Sequence, residues 1–453
     1  MELLSYFPFF QRLTERRLVI VATLAVLAVI FEGLGAAVFM SVMLLDASSS
    51  SGNFVTSTVY GIVDWLGIVS PDKRLITLLA FCCVAFFTGA AALVSSTWYS
   101  AALEARIRVR IQSELINGLF KSRYQYFLSH NIGFFNNAIL NEMNKVSATF
   151  KFFVTILITA LTAIMFFSVA LLTNPFAIIV LTVLGVPVFF VFRKINSLAK
   201  NYSIRNTAEF GAVTGTVYQI LSHFKYLKAT NTFGRALRAF ERQAWGLSNI
   251  IKKQNIINSL SFDGIKPFMF MGVAAVIAFV VIVMKKPVIE AVVMMGLLYA
   301  AYQRVLAVQA TYQKFLQAVG GIQIYERLSD ELAKEAEPTT VAKDVPDFSG
   351  ALEFKNVSFS YRDAADAVLN GVTLRVASKS AVAFVGDSGS GKSTIVNLVT
   401  GLLAPTSGEI LLNGTPYPTL DIEKLRGGIG YVTQEPVIFN DTVRNNLSLC
   451  NPE

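Results

Sequence analysis

The chain has 453 residues, of which 54% are hydrophobic and only 15% are charged, whereas an ordinary soluble domain is about 25% charged. Its formal net charge is +9, and the excess lies in residues 1–338, which carry 30 lysines and arginines against 18 aspartates and glutamates. These values exclude a protein that is soluble along its whole length, and they favour anionic lipid headgroups rather than nucleic acid as the partner of the basic surface.

Six apolar segments are predicted to cross the membrane as helices, since a span needs about 20 apolar residues. The six segments are Leu18–Leu45, Leu75–Trp98, Phe150–Leu172, Phe176–Phe192, Pro267–Met284 and Val288–Leu306. The first is longer than the core of a signal peptide, so we expect a retained helix. Turns that contain proline, at Thr173–Pro175 and Lys285–Pro287, separate the third span from the fourth and the fifth from the sixth. A polar loop at Ser48–Asn53 and a short amphipathic helix at Val59–Val69 are expected after the first span.

Two long polar segments leave the membrane, and both are expected to be largely helical. Helical character continues beyond the second span into Ala101–Met143, and the segment Arg193–Lys266 carries 12 basic residues against 3 acidic residues. Because positive charge marks the cytoplasmic side of a membrane protein, both segments and both chain termini are predicted to be cytoplasmic. The sequence thus predicts an all-α membrane domain over residues 1–329, with six helices and long cytoplasmic extensions.

A soluble α/β domain is predicted after the membrane domain, over residues 347–453. Residues 330–346 are polar and are predicted to form the linker between the two domains. Apolar and polar residues alternate along Leu352–Tyr361 and Val368–Val376, as they do in antiparallel strands. The segment Gly408–Gly414 is predicted to be a further strand that ends in an Asn-Gly turn.

Residues 386–394 match the phosphate-loop pattern G-x-x-x-x-G-K-[ST]. The matching residues are Gly386, Asp387, Ser388, Gly389, Ser390, Gly391, Lys392, Ser393 and Thr394. A short buried strand is predicted before the loop at Ser380–Val385, and an amphipathic helix is predicted after it at Lys392–Leu403. In such a loop, backbone N–H groups and the positive end of the helix surround a phosphate chain. Lys392 would reach the β- and γ-phosphates, and Ser393 would place its hydroxyl on Mg²⁺.

The six spans, the two cytoplasmic extensions and the phosphate loop together resemble an exporter-type ATP-binding-cassette (ABC) transporter, and the resemblance covers essentially the whole chain. It implies ATP as the nucleotide and Mg²⁺ as the metal. It also implies that Tyr361 stacks on adenine, and that Gln434, in the segment Ile429–Pro436 and at the end of a strand, supplies an oxygen to Mg²⁺ or the attacking water. Two short coupling helices, which dock the extensions on the nucleotide domain, are implied within Tyr126–Lys145 and Ala208–Leu221.

The sequence after Gln434 departs from the family pattern. It contains no signature phrase beginning Leu-Ser-Gly-Gly, no strand with an Mg²⁺-binding aspartate, no catalytic glutamate and no switch histidine. The two histidines, His130 and His223, lie in the cytoplasmic extensions and are expected to be surface residues. We therefore expect the functional protein to be longer, with an incomplete nucleotide domain in this sequence.

The resemblance implies ATP-driven export or flipping of a lipid-like or amphipathic substrate by alternating access in a bacterial inner membrane. The implied partner is a second half-transporter, identical or different, so that two nucleotide domains close on two ATP molecules. Lys392 and Gln434 are the catalytic residues that this sequence supplies. A peptide or drug exporter, a siderophore-type importer on the same fold and an ATP-sensing membrane scaffold without transport stay open as alternatives.

Glu32 lies near the middle of the first span and is expected either to face the cavity or to pair with another helix, because a carboxylate at that depth is otherwise costly. The phrase Phe31–Gly35 around it resembles the first span of bacterial exporters of lipid-linked glycans or glycolipids. Arg304 is expected to reach the cytoplasmic interface, and Asp263 is expected to pair with Lys266. An aromatic and polar stripe in the sixth span is predicted to line the pathway. The stripe consists of Tyr299, Tyr302, Leu306, Gln309 and Gln313.

Overall fold

The computed structural model describes residues 2–44, 54–68, 70–173, 175–264, 266–285, 288–337, 344–362, 366–434 and 437–448. The predicted polar loop at Ser48–Asn53 lies outside the described residues, as do Asn174, Lys286 and Pro287 of the two predicted turns. The chain divides into two compact units. The first consists of Met1–Asn117 and Ile132–Glu331, and the second consists of Gly118–Asn131 and Leu332–Glu453.

The chain is helical up to residue 334 wherever a regular element is described. The helices are α1 Glu2–Ser5, α2 Phe7–Thr14, α3 Arg17–Met43, α4 Phe54–Trp65, α5 Pro71–Lys121, α6 Tyr124–Leu128, α7 Ile132–Asn136, α8 Met143–Thr173, α9 Pro175–Ser222, α10 Phe224–Ala229, α11 Phe233–Phe262, α12 Lys266–Ala278, α13 Val288–Ala318 and α14 Gly320–Lys334. Two π-helical segments occur at Asn137–Glu142 and Phe279–Val283, next to α8 and α12.

Five helical segments in the described part of the chain are long and apolar enough to cross a membrane. They are Arg17–Met43, Pro71–Lys121, Ile132–Leu172, Lys266–Val283 and Val288–Lys334. These segments cover all but one or two end residues of the first, second, third, fifth and sixth predicted spans. The fourth predicted span falls within α9, where the side chains of residues 175–189 lie outside the description. Helix α5 runs for 51 residues without interruption, in agreement with the prediction that the second span stays helical beyond the membrane.

Helices α3, α8 and α13 pack around one buried apolar cluster in the first unit. Met40, Ala170 and Ala301, one from each helix, are at most 1% exposed. Helix α5 approaches α3 closely at Gly89, where an added Cβ would lie only 3.2 Å from the backbone nitrogen of Glu32. A Cβ at that distance would be tighter than most real contacts, so glycine at 89 favours the close approach of the two helices.

The predicted pathway stripe of α13 is largely packed inside the unit. Leu306, Gln309 and Gln313 are only 1%, 9% and 2% exposed. Gln309 exchanges two hydrogen bonds with Asn196 of α9, at 2.7 Å and 3.4 Å. Tyr299, at 41%, is the most exposed member of the stripe. The prediction was wrong for the buried members, because polar groups at helical spacing can satisfy one another between helices instead of facing a cavity.

The position predicted for the second coupling helix was also wrong. Helix α9 runs through Ala208–Leu221 to Ser222, since the two glycines in that segment, Gly211 and Gly215, cost a helix only about 1 kcal/mol each. The short helix that follows is α10, whose Phe224 and Tyr226 are 51% and 66% exposed. The short helix of this extension is therefore α10, which follows the last residue of α9.

The described residues of the second unit form a four-stranded antiparallel sheet in the order β2-β1-β3-β4. The strands are β1 Leu352–Phe359, β2 Leu369–Val376, β3 Ser407–Leu412 and β4 Thr415–Pro416. The predicted strands at Leu352–Tyr361, Val368–Val376 and Gly408–Gly414 are thereby confirmed, with small changes at their ends. Asn413 and Gly414 have φ values of 47° and 78°, which form the predicted tight turn between β3 and β4. The helices are α15 Lys392–Val399, α16 Ile422–Gly427 and α17 Val443–Ser448, with a 3₁₀ turn at Tyr417–Thr419.

Two predicted strands do not form among the described residues of this unit. Neither Ser380–Val385 nor the segment before Gln434 is a strand, and Val385 and Val432 are 94% and 95% exposed. A strand is stabilised by a hydrogen-bonded neighbour, and none of the four described strands lies beside either segment. Their apolar composition predicts burial, but the described part of the unit has no surface that covers them.

The predicted linker is structured at its beginning. Helix α14 continues to Lys334, inside the predicted linker of residues 330–346, and residues 338–343 lie outside the description. Glu335 accepts a hydrogen bond from Arg362 at 2.7 Å, and Glu337 binds Arg426 through both carboxylate oxygens at 2.7 Å and 3.0 Å. The polar composition at 330–337 thus reflects a helix end and ion pairs, which composition alone does not distinguish from a flexible linker.

Replacing Glu337 by alanine is expected to lower the free energy of unfolding of the second unit by about 1–3 kcal/mol, because the Arg426 guanidinium loses its carboxylate. In the described part of the chain, Arg426 Nε is already buried without a partner. The side chains are 31% and 25% exposed, so the loss is smaller than for a fully buried pair. Urea unfolding of the complete protein, followed by hydrogen exchange in α16, measures the change.

The matched control is Glu353→Ala, which removes the partner of Arg375, a side chain that is 73% exposed. An exposed ion pair contributes at most about 1 kcal/mol, so this variant should unfold close to the wild type. Equal losses in the two variants would contradict a specific role for Glu337.

Candidate functional site

The phosphate loop lies between residue 385 and α15 and is closed by its own lysine. Lys392 Nζ donates hydrogen bonds to the carbonyl oxygens of Gly386 at 2.8 Å and Asp387 at 2.7 Å. Its ammonium group therefore sits inside the curve of the loop, where a phosphate oxygen would compete with these carbonyls for the positive charge. The geometry brings together the loop backbone, a cation and the first turn of α15.

Gly391 is the residue at which the loop passes into the helix. Its φ of 88° is left-handed, and an added Cβ would lie 2.7 Å from Leu369 Cδ2. Both the backbone conformation and the contact with β2 exclude a larger residue here. The glycine thus allows the loop to curl and to deliver its N–H groups at the start of α15.

Helix α15 is anchored by apolar contacts on the sheet. Ile395 and Leu398 are buried against Phe354, Val357 and Phe359 of β1. The opposite side of the first helical turn stays accessible, since Ser393 is exposed. The sheet therefore holds the helix in place while the predicted Mg²⁺ ligand faces solvent.

Tyr361 lies beside the first turn of α15. Its hydroxyl forms a hydrogen bond with Thr394 Oγ1 at 3.3 Å, and its ring packs edge-to-face on Phe359 with centroids 4.9 Å apart. The tyrosine follows directly after β1, and Thr394 is 5% exposed. The structure thus brings Tyr361 next to the phosphate loop, as a stacking role requires, while the stacking itself stays a prediction.

Gln434 is exposed, and within the described residues it makes no hydrogen bond or ion pair with the phosphate loop. It is therefore not part of the constellation formed by Lys392, Ser393 and Tyr361. No group of three His, Cys, Asp or Glu suited to a metal ion occurs among the described residues. A magnesium ion at this site would depend on neutral oxygens such as Ser393 Oγ and on phosphate oxygens, and such a donor set suits a hard cation.

Residues Gly118–Asn131, which include α6, belong to the same unit as the phosphate loop. Arg123 donates its backbone N–H to the carbonyl of Glu335 at 2.8 Å, and Gln125 Nε2 donates to the carbonyl of Ser360 at 3.5 Å. Tyr124 packs on the apolar cluster of the sheet. Helix α6 is thus attached one residue away from Tyr361. These contacts come from residues just before the implied segment Tyr126–Lys145, and the coupling role of that segment stays a prediction.

Glu32 pairs with another helix of the first unit, as one of the two expectations for it had stated, but its partner was not predicted. Arg304 Nη2 of α13 donates to Glu32 Oε1 of α3 at 2.7 Å, so Arg304, which was expected only to reach the interface, forms an ion pair with another span. An intramembrane arginine gains more from a carboxylate at its own depth than from extending to water. The sequence contains a signal for this pair, because Glu32 and Arg304 are oppositely charged residues within apolar spans. The predicted pair of Asp263 and Lys266 is confirmed at 2.8 Å.

Two protein-family models match the chain, one in each unit. Residues 19–305 match the family model described as "ABC transporter transmembrane region", and residues 369–452 match the one described as "ABC transporter". The chain is 28% identical over 373 residues to an "ATP-dependent lipid A-core flippase" of Syntrophus aciditrophicus, covering 78% of this chain and 59% of that protein. A flippase of the same description from Chromobacterium violaceum is 24% identical, covering 84% of this chain and 66% of its own length.

The fold also resembles a solved structure, described as "Structure of a bacterial Atm1-family ABC exporter with ATP bound". The TM-score is 0.74 at 18% identity, and the match covers 97% of this chain and 74% of the other. At this identity the likeness concerns the fold. The chain spans only 59% and 66% of the length of the two flippases named above.

Proposed function

Because the chain belongs to the ABC transporter family, we propose that it binds and hydrolyses ATP and thereby moves a lipid-like or amphipathic molecule across a membrane. The observation that carries this proposal is the curled phosphate loop with Lys392 at its centre, in a chain whose other unit is built of membrane-length apolar helices. The lipid-like substrate class is supported by the two lipid A-core flippases and by the phrase around Glu32.

The residues of the loop would act mainly by positioning and by charge. Mg²⁺, when bound with the nucleotide, would neutralise negative charge on the phosphate oxygens. Lys392 would exchange its two carbonyl partners for phosphate oxygens, and Ser393 would offer its exposed hydroxyl to the metal. Gln434 would have to move towards the loop to orient water or to ligate the metal. Tyr361 would hold the adenine ring beside α15.

Helix α6 offers a route from the nucleotide to the membrane helices. It follows α5 after only two residues, and its Gln125 contacts the residue before Tyr361. A shift of Tyr361 on nucleotide binding would therefore act on α6 directly. We propose that this contact transmits closure of the nucleotide domains to the second membrane span.

The chain is a multi-pass membrane protein, and we place both termini and the nucleotide unit in the cytoplasm of a bacterial inner membrane. This placement is supported by the basic residues of the two long extensions. We also propose that the active form is a pair of half-transporters, either identical or different. The proposed pairing is supported by the family match, because the chain carries one set of membrane helices and one nucleotide unit, as a half-transporter does.

The test is ATP-dependent lipid movement in proteoliposomes that contain the complete gene product. Fluorescent lipids in one leaflet are followed by dithionite quenching, with and without Mg-ATP. The proposal expects movement that requires both hydrolysable ATP and the protein. Nucleotide hydrolysis without movement of any lipid or amphipathic probe would favour the scaffold alternative over transport.

Replacing Tyr361 by alanine is expected to weaken ATP binding about tenfold, because stacking of a base on an aromatic ring contributes about 1–3 kcal/mol. Tyr361→Phe keeps the ring and loses only the bond to Thr394, so its affinity should stay near that of the wild type. Titration of the complete protein with a fluorescent ATP analogue gives the dissociation constants. Wild-type affinity in the alanine variant would rule out stacking by this residue.

A further inference from the structure

Helix α4, which connects the first span to the second, packs against the ends of both. Val63 of α4 shares an apolar cluster with Val38 of α3 and Leu78 of α5, and each of the three is at most 5% exposed. Val38 and Leu78 lie inside the predicted spans Leu18–Leu45 and Leu75–Trp98, within about two turns of their ends. Helix α4 is therefore held at the depth of the last turns of these spans.

Polar contacts fix the rotation of α4 about its own axis. The Tyr60 hydroxyl donates a hydrogen bond to the carbonyl oxygen of Ser41 in α3 at 2.6 Å. Asp64 forms an ion pair with Arg74 of α5, whose Nε also donates to the carbonyl oxygen of Ile68 at 2.7 Å. Because the helix is tied to both spans, the direction of its exposed side is set by the structure.

The exposed side of α4 carries large apolar residues. Phe54 and Trp65 are 65% and 84% exposed, and at about 100° per residue they lie about 20° apart around the helix axis. Thr56 and Val63, which are 0% and 4% exposed, lie on the opposite side of the helix. Phe54 and Trp65 therefore form an apolar stripe that points away from the spans.

The two remaining sides of α4 differ in polarity. Ile62 is 55% exposed, and Asp64 is the charged residue of this helix. These two residues lie about 160° from each other and roughly at right angles to the stripe. The hydroxyls of Ser57 and Thr58 both donate to the carbonyl oxygen of Phe54, at 3.0 Å and 2.7 Å, so they need no water as acceptor. Helix α4 thus has one packed side, two apolar sides and one charged side.

This division matches a helix that lies flat at the boundary between headgroups and acyl chains. A helix of this kind buries its apolar side about 5–10 Å into the membrane, and tryptophan is enriched at that level. With the packed side against the spans and Asp64 towards the headgroups, Ile62 points towards the membrane interior. Phe54 and Trp65 then point sideways into the leaflet. A protein partner accounts for the stripe alone, whereas a lipid leaflet accounts for all four sides.

We propose that α4 is a lipid-contact helix, with Phe54, Ile62 and Trp65 inserted into the leaflet that surrounds the Met43 end of α3. The occupant of the exposed stripe is the acyl-chain region of that leaflet, and not a second copy of the chain. Because α4 is tied to both spans, this contact anchors the ends of the first and second spans at one depth. It needs neither ATP nor a transported substrate, so it holds or fails independently of the proposed function.

The test is quenching of tryptophan fluorescence by brominated phospholipids, in proteoliposomes that contain the complete protein without nucleotide. In one variant Trp65 is the sole tryptophan, and in the control it is Trp245, which is 70% exposed in the long polar helix α11. Bromine about 5–10 Å below the headgroups should reduce the Trp65 emission roughly twofold, and bromine at the bilayer centre should reduce it less. The Trp245 emission should stay unchanged with either lipid.

Three results would overturn the proposal. Unquenched Trp65 emission at the wavelength of a water-exposed indole would place the stripe in water. Unquenched emission at short wavelength would mean that protein covers the stripe, and cross-linking of two copies through Ile62→Cys would identify that protein as a second half-transporter. Equal quenching of Trp65 and Trp245 would show that bromine reaches the chain without insertion of α4.

A pair of substitutions on α4 separates insertion from packing. Ile62→Asp places a charge on the side assigned to the membrane interior, where it is costly, whereas Ser57→Asp places the same charge on the side of Asp64. Both positions are exposed, so neither substitution opens the packed side of the helix. Ile62→Asp should lose most of the Trp65 quenching by the shallow bromine, and Ser57→Asp should keep it. Equal quenching in the two variants would contradict the assigned orientation.

Discussion

Replacing Lys392 by alanine is expected to lower the ATPase activity of the complete protein by about 100-fold or more. Removal of one preorganised group that stabilises developing charge typically costs a factor of about 100–1,000. Lys392 is the cation inside the phosphate loop, where its ammonium contacts the carbonyls of Gly386 and Asp387. Without it, these carbonyls would face the phosphate oxygens with no positive charge between them.

Phosphate release at saturating Mg-ATP measures the effect, together with ATP-dependent lipid movement in the same proteoliposomes. The control is Lys424→Ala, since this lysine lies in the same unit, is 61% exposed and makes only a loose pair with Asp421 at 3.9 Å. Its activity should equal that of the wild type. Unchanged hydrolysis in Lys392→Ala would remove the phosphate loop from the mechanism.

Replacing Phe359 by alanine is expected to lower the free energy of unfolding of the second unit by about 3–5 kcal/mol, the usual cost of deleting a buried aromatic ring. Phe359 is 1% exposed in the cluster that joins β1 to α15. Its ring also supports Tyr361 edge-to-face at 4.9 Å. ATP affinity should therefore fall as well, because the tyrosine loses its lateral support.

Urea unfolding and hydrogen exchange of the β1 amides report the loss of stability, and titration with the ATP analogue reports the loss of affinity. Val432→Ala serves as the control, because Val432 is 95% exposed and its truncation removes no contact in the core. A Phe359→Ala protein with the β1 protection of the wild type would show that α15 is held by other contacts.

The sequence predicts helices best where they are long and apolar. The first, second, third, fifth and sixth spans are recovered as helices, because each has enough apolar residues to satisfy a criterion of length alone, without knowledge of its neighbours. The strands at 380–385 and before Gln434 fail for the opposite reason. A strand depends on a hydrogen-bonded partner, and local composition does not reveal whether that partner is present.

The site shows the same contrast. The curl of the phosphate loop could be predicted from sequence, because its glycines, Lys392 and Ser393 lie within nine consecutive positions. The pair of Glu32 and Arg304 could not, since 272 positions separate the two residues and only the packing of α3 and α13 brings them together. Tyr361 is an intermediate case. Its position at the end of a strand could be predicted from sequence, but the orientation of its side chain towards Thr394 is known only from the structure.

Helix α5 joins the membrane part of the chain to α6 and so to the nucleotide unit, and it does so as one rod of 51 residues. At 1.5 Å per residue this rod is about 76 Å long. A single inserted residue would rotate everything beyond it by about 100°, whereas seven residues would make nearly two full turns and restore the original face. Insertions into α5 are therefore expected to be tolerated best in multiples of about seven residues, because only these keep the residues on both sides of the insertion on the same face of the helix.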